Sequence, residues 1–318
     1  MPRAAAGYHA AVIPVERVAA TLSAWPFRVH SLTPMAGGWN STTWLAVTAQ
    51  GRYVAKLVDD LDAPALVSGL LVAEFLAARG LACGAPGRTK GGELTIRLPE
   101  GTLALLRYEP GTPPDLSIPA QVRRAGRVLA RVHQALRDFP AGCDARYRWP
   151  WEWVTQCLDT IAMPEHVTAA ARRIWPEIVR AVADHQLSIS VIHADPGPGG
   201  FLLGGDGAQD ALIDWATTLR GPLLYDLACF AVITSQAGPE AARWFIEGYA
   251  AQMPEIGPQL AHLDWLVKAR WLANAIYFSS RIERGIVRGI VRGSDSPTAN
   301  QDGLAAAYAG LTAELVLP

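Results

Sequence analysis

Two aspartates and a histidine stand out by type and spacing. His193 and Asp195 lie two apart in the stretch Val191–Gly200, a turn-rich loop between apolar runs. Beyond the apolar Phe201–Leu203, a second run, Ala211–Trp215, places Asp214 at the end of an expected strand. A hairpin through the glycine-rich turn Gly204–Gly207 would bring the two carboxylates close together. Such a pair suits phosphoryl transfer, with one carboxylate taking a hydroxyl proton and the other holding a metal ion.

The elements that must position this pair can be read along the chain. Residues 12–25 are spaced as a helix that Pro26 ends. Three antiparallel strands are expected next: from Phe27, over Ser41–Thr48, and over Tyr53–Val58, with Gly37 and Gly38 turning between the first two and Lys56 a lone cation in an apolar strand. Pro64 to Arg79 reads as a helix whose only interior acid is Glu74, closed by Gly80. Strands over Glu93–Leu98 and Thr102–Tyr108 follow, and Glu109–Pro114 breaks all periodicity as an expected hinge. The remainder is mainly helical, beginning with the amphipathic Ile118–Phe139, which carries His133. Further helices are expected over 153–162, 164–185, from Tyr225, over Gly238–Met253, over Gln259–Arg284 and over Gly303–Leu317.

Composition narrows the class. At 318 residues, half of them hydrophobic and 18% charged, the chain is globular and long enough for two lobes. A formal net charge of −1 gives no electrostatic reason to expect nucleic acid as a partner. The first residues lack an apolar stretch of signal-peptide length, and no apolar run approaches the ~20 residues of a membrane span. The sequence therefore reads as cytoplasmic, without a membrane partner, and is silent on oligomeric state. Cys83, Cys143, Cys157 and Cys229 are scattered without metal-type spacing and read as reduced thiols.

In this order of parts, from about residue 30 to 290, the chain resembles the aminoglycoside phosphotransferase family of small-molecule kinases, relatives of choline kinases and of the protein-kinase fold. The resemblance implies an α+β, protein-kinase-like two-lobed fold. Residues 1–109 would form a nucleotide-binding lobe of antiparallel sheet plus helix, and residues 110–318 a mainly α-helical catalytic and acceptor-binding lobe. It implies transfer of the γ-phosphoryl group of ATP or GTP, with Mg²⁺, to a hydroxyl of a small antibiotic or metabolite.

By position, Asp195 matches the family's catalytic base and Asp214 its metal-binding acid. Lys56 matches the strand lysine that contacts nucleotide phosphates, and Glu74 is then its expected partner; an ammonium held by a carboxylate stays charged and aimed. Gly37 and Gly38, followed by Asn40, Ser41 and Thr42, resemble the nucleotide-covering turn, where backbone N–H groups approach phosphates. Arg107 and Tyr108 fall in the linker that receives the adenine. His193 is expected to support the loop, Asp226 to bond it or cap its own helix, and His133 to brace it.

Each has a plainer reading as well. Lys56 could be an edge-strand lysine reaching water, Glu74 a surface acid, and the two aspartates ordinary turn and strand-end carboxylates. Trp149, Trp151 and Trp153 could face a substrate or pack as core. Arg281, Arg284, Arg288 and Arg292, at helical spacings, could bind an anionic acceptor or form a solvated basic face.

One position departs from the pattern. The family runs His-x-Asp-x-x-x-x-Asn, where the Asn supplies a second metal contact and braces the base; here that place is Gly200. Asp206 and Asp210 lie beyond Phe201–Leu203 and do not replace it. Losing one bond or ligand to a charged group costs about 1.5–3 kcal/mol, roughly 10- to 150-fold, against an enzymatic acceleration of roughly 10⁶-fold or more. The sequence leaves open an active kinase with a weakened metal site and a degenerate kinase that binds nucleotide without efficient transfer.

Overall fold

The computed structural model describes residues 13–35, 40–142, 144–148, 151–183, 187–205, 207–286 and 298–313. Its first part is built on alternation within strands. β1 (Val29–Met35), β2 (Ser41–Thr48) and β3 (Gly51–Val58) pair antiparallel in sequence order. β4 (Pro86–Gly87), β5 (Thr95–Leu98) and β6 (Gly101–Arg107) complete a sheet of order β1-β2-β3-β6-β4, with β5 also pairing β6.

Successive strand residues face opposite sides. One side carries Trp44, Ala46, Ala55, Leu57, Leu103 and Leu105, packed with Val18 of α1 (Val15–Thr21) and with Leu22 and Trp25. The other side carries Val58 and Ala104, packed against Leu66 and Leu70 of α2 (Ala63–Ala77). Lys56 lies between Ala55 and Leu57 and opposite Ala104 in the register, so it shares the side covered by α2.

The linker after β6 is fixed. Gly111, at φ +144°, lets the backbone approach so closely that a Cβ there would lie 2.9 Å from the Leu203 carbonyl oxygen. Thr112 and Leu203 exchange two backbone hydrogen bonds, of 3.2 and 2.8 Å. The expected hinge is thereby pinned to the strand that follows the His-x-Asp loop.

The second part is helical. α3 (Pro119–Leu136) buries Val122, Ala125, Leu129, Val132, His133 and Leu136 along one stripe. α4 (Trp151–Thr160) and α5 (Glu165–Ala183) follow, then α6 (Leu223–Ile233), α7 (Pro239–Ala250), α8 (Leu263–Glu283) and α9 (Ala299–Thr312). Between α5 and α6 lie two small antiparallel ribbons: β7 (Ile189–Ile192) with β10 (Leu219–Pro222), and β8 (Phe201–Leu202) with β9 (Ala211–Leu212).

Several elements differ from the sequence expectation: the last helix runs over Ala299–Thr312 and not from Gly303, the first is shortened to Val15–Thr21, and β4 and β10 are added. β10, Leu-Arg-Gly-Pro, has no strand pattern of its own and forms because β7 offers it a partner. The helix expected from Gln259 starts at Leu263, preceded by a 3₁₀ run over Pro254–His262 in which Pro258 prevents regular α-helix. Among the described residues no helix is long and apolar enough to cross a membrane, and Cys83, Cys157 and Cys229 are free thiols. Cys143 lies outside the described residues.

Candidate active site

The loop after β7 is held from below. Ala194 (φ 66°) and Asp214 (φ 70°) are the non-glycine residues in the left-handed region among those described, a conformation that persists only where surroundings enforce it. For Ala194 the enforcement comes from Asp226 in the first turn of α6. This fully buried carboxylate accepts from the backbone N–H of His193 (2.9 Å) and Ala194 (2.7 Å), and meets His133 Nε2 at 2.9 Å. His133 Nδ1 in turn meets the Tyr249 hydroxyl at 2.8 Å, so four elements converge under the loop.

His193 joins the two carboxylate-bearing segments. Its Nδ1 accepts from the Asp195 N–H at 3.3 Å and its Nε2 lies 2.9 Å from the Ile213 carbonyl oxygen, which assigns the tautomer with the proton on Nε2. The ring thus fixes Asp195 relative to the residue before Asp214. It does so by geometry, without touching either carboxylate.

Lys56 Nζ donates to Asp214 Oδ1 at 2.6 Å. The Lys56 ammonium holds the Asp214 carboxyl below the usual carboxylate range, against the opposing effect of burial. The carboxylate lies deep between the sheet and the helical part and yet reaches solvent, its side chain 61% exposed.

The expected Lys56–Glu74 pair is not made. Glu74 is held by both Nε and Nη2 of Arg88, each at 2.6 Å. The reason is helix rotation. α2 sets Gly69 against the Asp214 segment, where a Cβ would fall 2.4 Å from the Trp215 carbonyl oxygen. Glu74 lies five residues further, roughly 140° around the helix and away from that contact. Asp62, seven residues before Gly69, returns to the same face, and it is a second acid within reach of Lys56. Burial pushes its carboxyl up, while Arg281, Arg284 and Lys56 pull it down.

Asp195 is met from α8. Arg270 Nη2 donates to Asp195 Oδ1 at 2.5 Å and Nη1 to the Ala194 carbonyl oxygen at 3.2 Å. Arg270, Asn274, Tyr277 and Arg281 recur at i, i+4, i+7 and i+11, one stripe of the helix. Arg281 is 3% exposed and donates to Asn300 Oδ1 and Asn40 Oδ1, each at 3.0 Å. It therefore ties α8 and α9 to the start of β2, and neither the anionic-acceptor reading nor the solvated-face reading of the arginine series applies to it. Arg288 and Arg292 lie outside the described residues, as do Gly37, Gly38, Trp149 and Asp206.

The other singled-out positions are placed as follows. Ser41 opens β2 beside Asn40. Arg107 ends β6, exposed, and Tyr108 carries the Arg52 guanidinium 4.2 Å over its ring. Trp153 is 39% exposed, so it is not core. Gly200 closes the loop by accepting from the Ile213 N–H at 2.9 Å, and a Cβ there would find its nearest neighbour, the Ile213 oxygen, at 3.4 Å. Asp210 accepts from Arg124 (2.7 Å) and the Gly204 N–H (3.0 Å), within the hairpin and away from the vacant asparagine place.

Sequence reasoning missed Arg270 and Asp62, and read Asn40 with the nucleotide-covering turn and not as a partner of Arg281. The signal for Arg270 was present: polar residues at helical spacing along a helix that otherwise buries Leu266, Ala269, Leu272 and Ile276.

Residues 31–260 match the profile of the phosphotransferase enzyme family, well over half of the chain. The chain belongs to that family. A homoserine kinase of Methylobacillus flagellatus is 28% identical over 260 residues, 78% of this chain and 80% of that protein. An amicoumacin kinase solved in complex with AMP-PNP, Ca²⁺ and Ami superposes with a TM-score of 0.72 at 13% identity, covering 93% of this chain and 92% of that one. A microcompartment-associated aminopropanol kinase superposes at 0.67 with 16% identity, covering 93% and 96%. The two-lobed, protein-kinase-like fold and an ATP-dependent phosphotransferase with a hydroxyl acceptor follow from this membership.

The phosphotransferase's own residues fit a divalent cation and phosphates. Mg²⁺ takes hard oxygen ligands and is usually held by one or two carboxylates together with substrate phosphates. Asp214 supplies such a carboxylate, with Oδ1 on Lys56 and no second hydrogen bond among the described residues. No group of three or more His, Cys, Asp or Glu that could hold a metal by itself is present among the described residues.

Proposed function

We propose that the protein transfers the γ-phosphoryl group of Mg²⁺-ATP to the hydroxyl of a small hydroxy amino acid or amino alcohol, with homoserine the first candidate. The observation that carries this is the convergence of Lys56, Asp214 and the Asp195 loop, tied together through His193. The metabolite class rests on the relative at 28% identity, which bears the name homoserine kinase. Antibiotic kinases of similar fold, at 13–15% identity, support the fold and not the acceptor.

In this reading residues 1–109 bind nucleotide and residues 110–318 bind the acceptor. Asp195 orients the acceptor hydroxyl and receives its proton. Lys56 faces nucleotide phosphate oxygens, and Asp214 holds the metal. Mg²⁺, when bound, neutralises charge on the phosphate oxygens. Asp226 and His193 act through the loop, and Gly37, Gly38 and Ser41 are assigned to the phosphates by the family resemblance. Backbone of the Arg107–Tyr108 linker takes the adenine. Glu74, committed to Arg88, has no part in it.

Gly200 supports one second reading, a degenerate kinase that holds ATP without efficient transfer. A coupled ADP-release assay over hydroxyl acceptors, with ATP and with GTP, separates the two. ADP formation that depends on homoserine or another acceptor supports the kinase; nucleotide binding without turnover supports the degenerate form.

A further inference from the structure

We propose that Arg270 positions Asp195 in this chain, taking over the bracing contact that an asparagine at position 200 would make. The inference rests on the reading of Asp195 as the carboxylate that faces the acceptor hydroxyl.

Among the described residues no group of the loop itself donates to the Asp195 carboxylate, which accepts from Arg270. Position 200 is glycine, with no side chain to donate. Pro196 and Pro198 carry no N–H. The N–H of Gly197 bonds the Asp195 carbonyl oxygen at 2.8 Å, and that of Gly200 bonds Gly197 at 2.9 Å. A carboxylate with only its own backbone fixed can still turn among side-chain rotamers.

Arg270 supplies the missing donor from outside the loop. Its planar fork grips the side chain through Nη2 (2.5 Å to Oδ1) and the backbone through Nη1 (3.2 Å to the Ala194 oxygen). Two contacts to consecutive residues set both the loop and the carboxylate rotamer. The guanidinium is also hydrogen-bonded to Tyr225 of α6, so it is itself held. Oδ1 is the oxygen engaged, which leaves Oδ2 of the 43% exposed Asp195 side chain for an acceptor.

A purely stabilising pair would be an odd use of this position. The Arg270 side chain is only 16% exposed, and its Nε is buried without a partner among the described residues. Desolvating a cation is costly, and an apolar residue in the same place on α8 would pack as well. The cost is explained if the charge is needed beside Asp195, where it fixes the base and remains next to charge that develops during transfer.

The test uses the full chain with Mg²⁺-ATP and homoserine, and with water as acceptor in parallel, on Arg270→Lys, Arg270→Gln, Gly200→Asn, the combination of Gly200→Asn with Arg270→Gln, and Asp195→Asn. Arg270→Gln is expected to lower kcat roughly 10- to 100-fold, the scale of one lost bond to a charged group, with KM for ATP little changed. Arg270→Lys, which keeps a cation but loses the fork, should fall in between. Gly200→Asn should raise kcat by a larger factor in the Arg270→Gln background than in the wild type, the coupling expected of two groups that do the same work. An unchanged kcat in Arg270→Gln, or a loss matched by the fall in folded fraction on thermal melting and not recovered by Gly200→Asn, overturns the proposal. Wild-type activity in Asp195→Asn would instead overturn the reading of the site on which it rests.

Discussion

Lys56 and Asp214, 158 residues apart in sequence, form a 2.6 Å ion pair that joins the sheet to the segment after β9. The contact takes the place of the strand-lysine to helix-glutamate pair expected from the resemblance. It puts the cation and the carboxylate proposed to hold the metal side by side. Breaking it tests both stability and site.

Because Lys56 lowers the folded-state carboxyl value of Asp214, the pair's contribution to stability is fully present above the unfolded carboxylate value, about 4. It is lost as pH falls through the depressed folded value. Melting temperatures of wild type and Lys56→Met should therefore differ by a constant amount near neutral pH and converge below about pH 4. A difference that grows in acid would contradict the assignment.

Asp226 should be intolerant of change. Asp226→Asn keeps one acceptor oxygen but turns an amide N–H₂ toward donors from His193, Ala194 or His133. With each unsatisfied buried group costing about 1–3 kcal/mol, the variant should be destabilised by about 2–4 kcal/mol in urea unfolding. Stability within error of wild type would mean the loop is not held from below.

Gly69→Ala places a methyl where the Trp215 carbonyl oxygen stands, 2.4 Å away. In an open helix the change would stabilise by about 0.8–1 kcal/mol. Here overpacking should reverse the sign, to a net loss of about 1–3 kcal/mol. The displaced Asp214 segment should also raise the Mg²⁺ concentration needed for half-maximal rate, read by metal titration; a net stabilisation would refute the contact.

Gly200→Asn has room for a side chain, with the nearest heavy atom 3.4 Å from the new Cβ. It should lower the Mg²⁺ requirement of the wild-type chain, since it adds an oxygen ligand of the hard type the ion prefers. An unchanged metal titration would show that position 200 does not face the metal.

The sheet and the two carboxylate segments were legible because their signals are local. Alternation over Ser41–Val58, the stop at Glu109–Pro114 and the turn-rich loop before Phe201 each declare themselves within a few residues. The order of those parts carried the family resemblance. What was not legible depends on orientation. Glu74 is the only acid inside its helix, yet a rotation of α2 fixed by Gly69 against Trp215 sends it to Arg88. Arg270 is 75 residues from Asp195, and nothing near either residue marks the partnership. Arg281, expected to bind an anionic acceptor or to sit on a solvated basic face, is instead closed in by Asn40 and Asn300 from opposite ends of the chain.

Phosphoryl transfer to a hydroxyl through Asp195, despite Gly200, is what the proposed function requires of this chain. Its most direct measurement is acceptor-dependent formation of a phosphate ester from Mg²⁺-ATP, followed by ³¹P NMR over homoserine and related hydroxy amino acids and amino alcohols, with Asp195→Asn alongside. A new ester resonance is expected in the wild type, with a rate lowered roughly 10²- to 10⁴-fold in the variant. ATP bound but never transferred to any acceptor, or equal rates in both proteins, would contradict it.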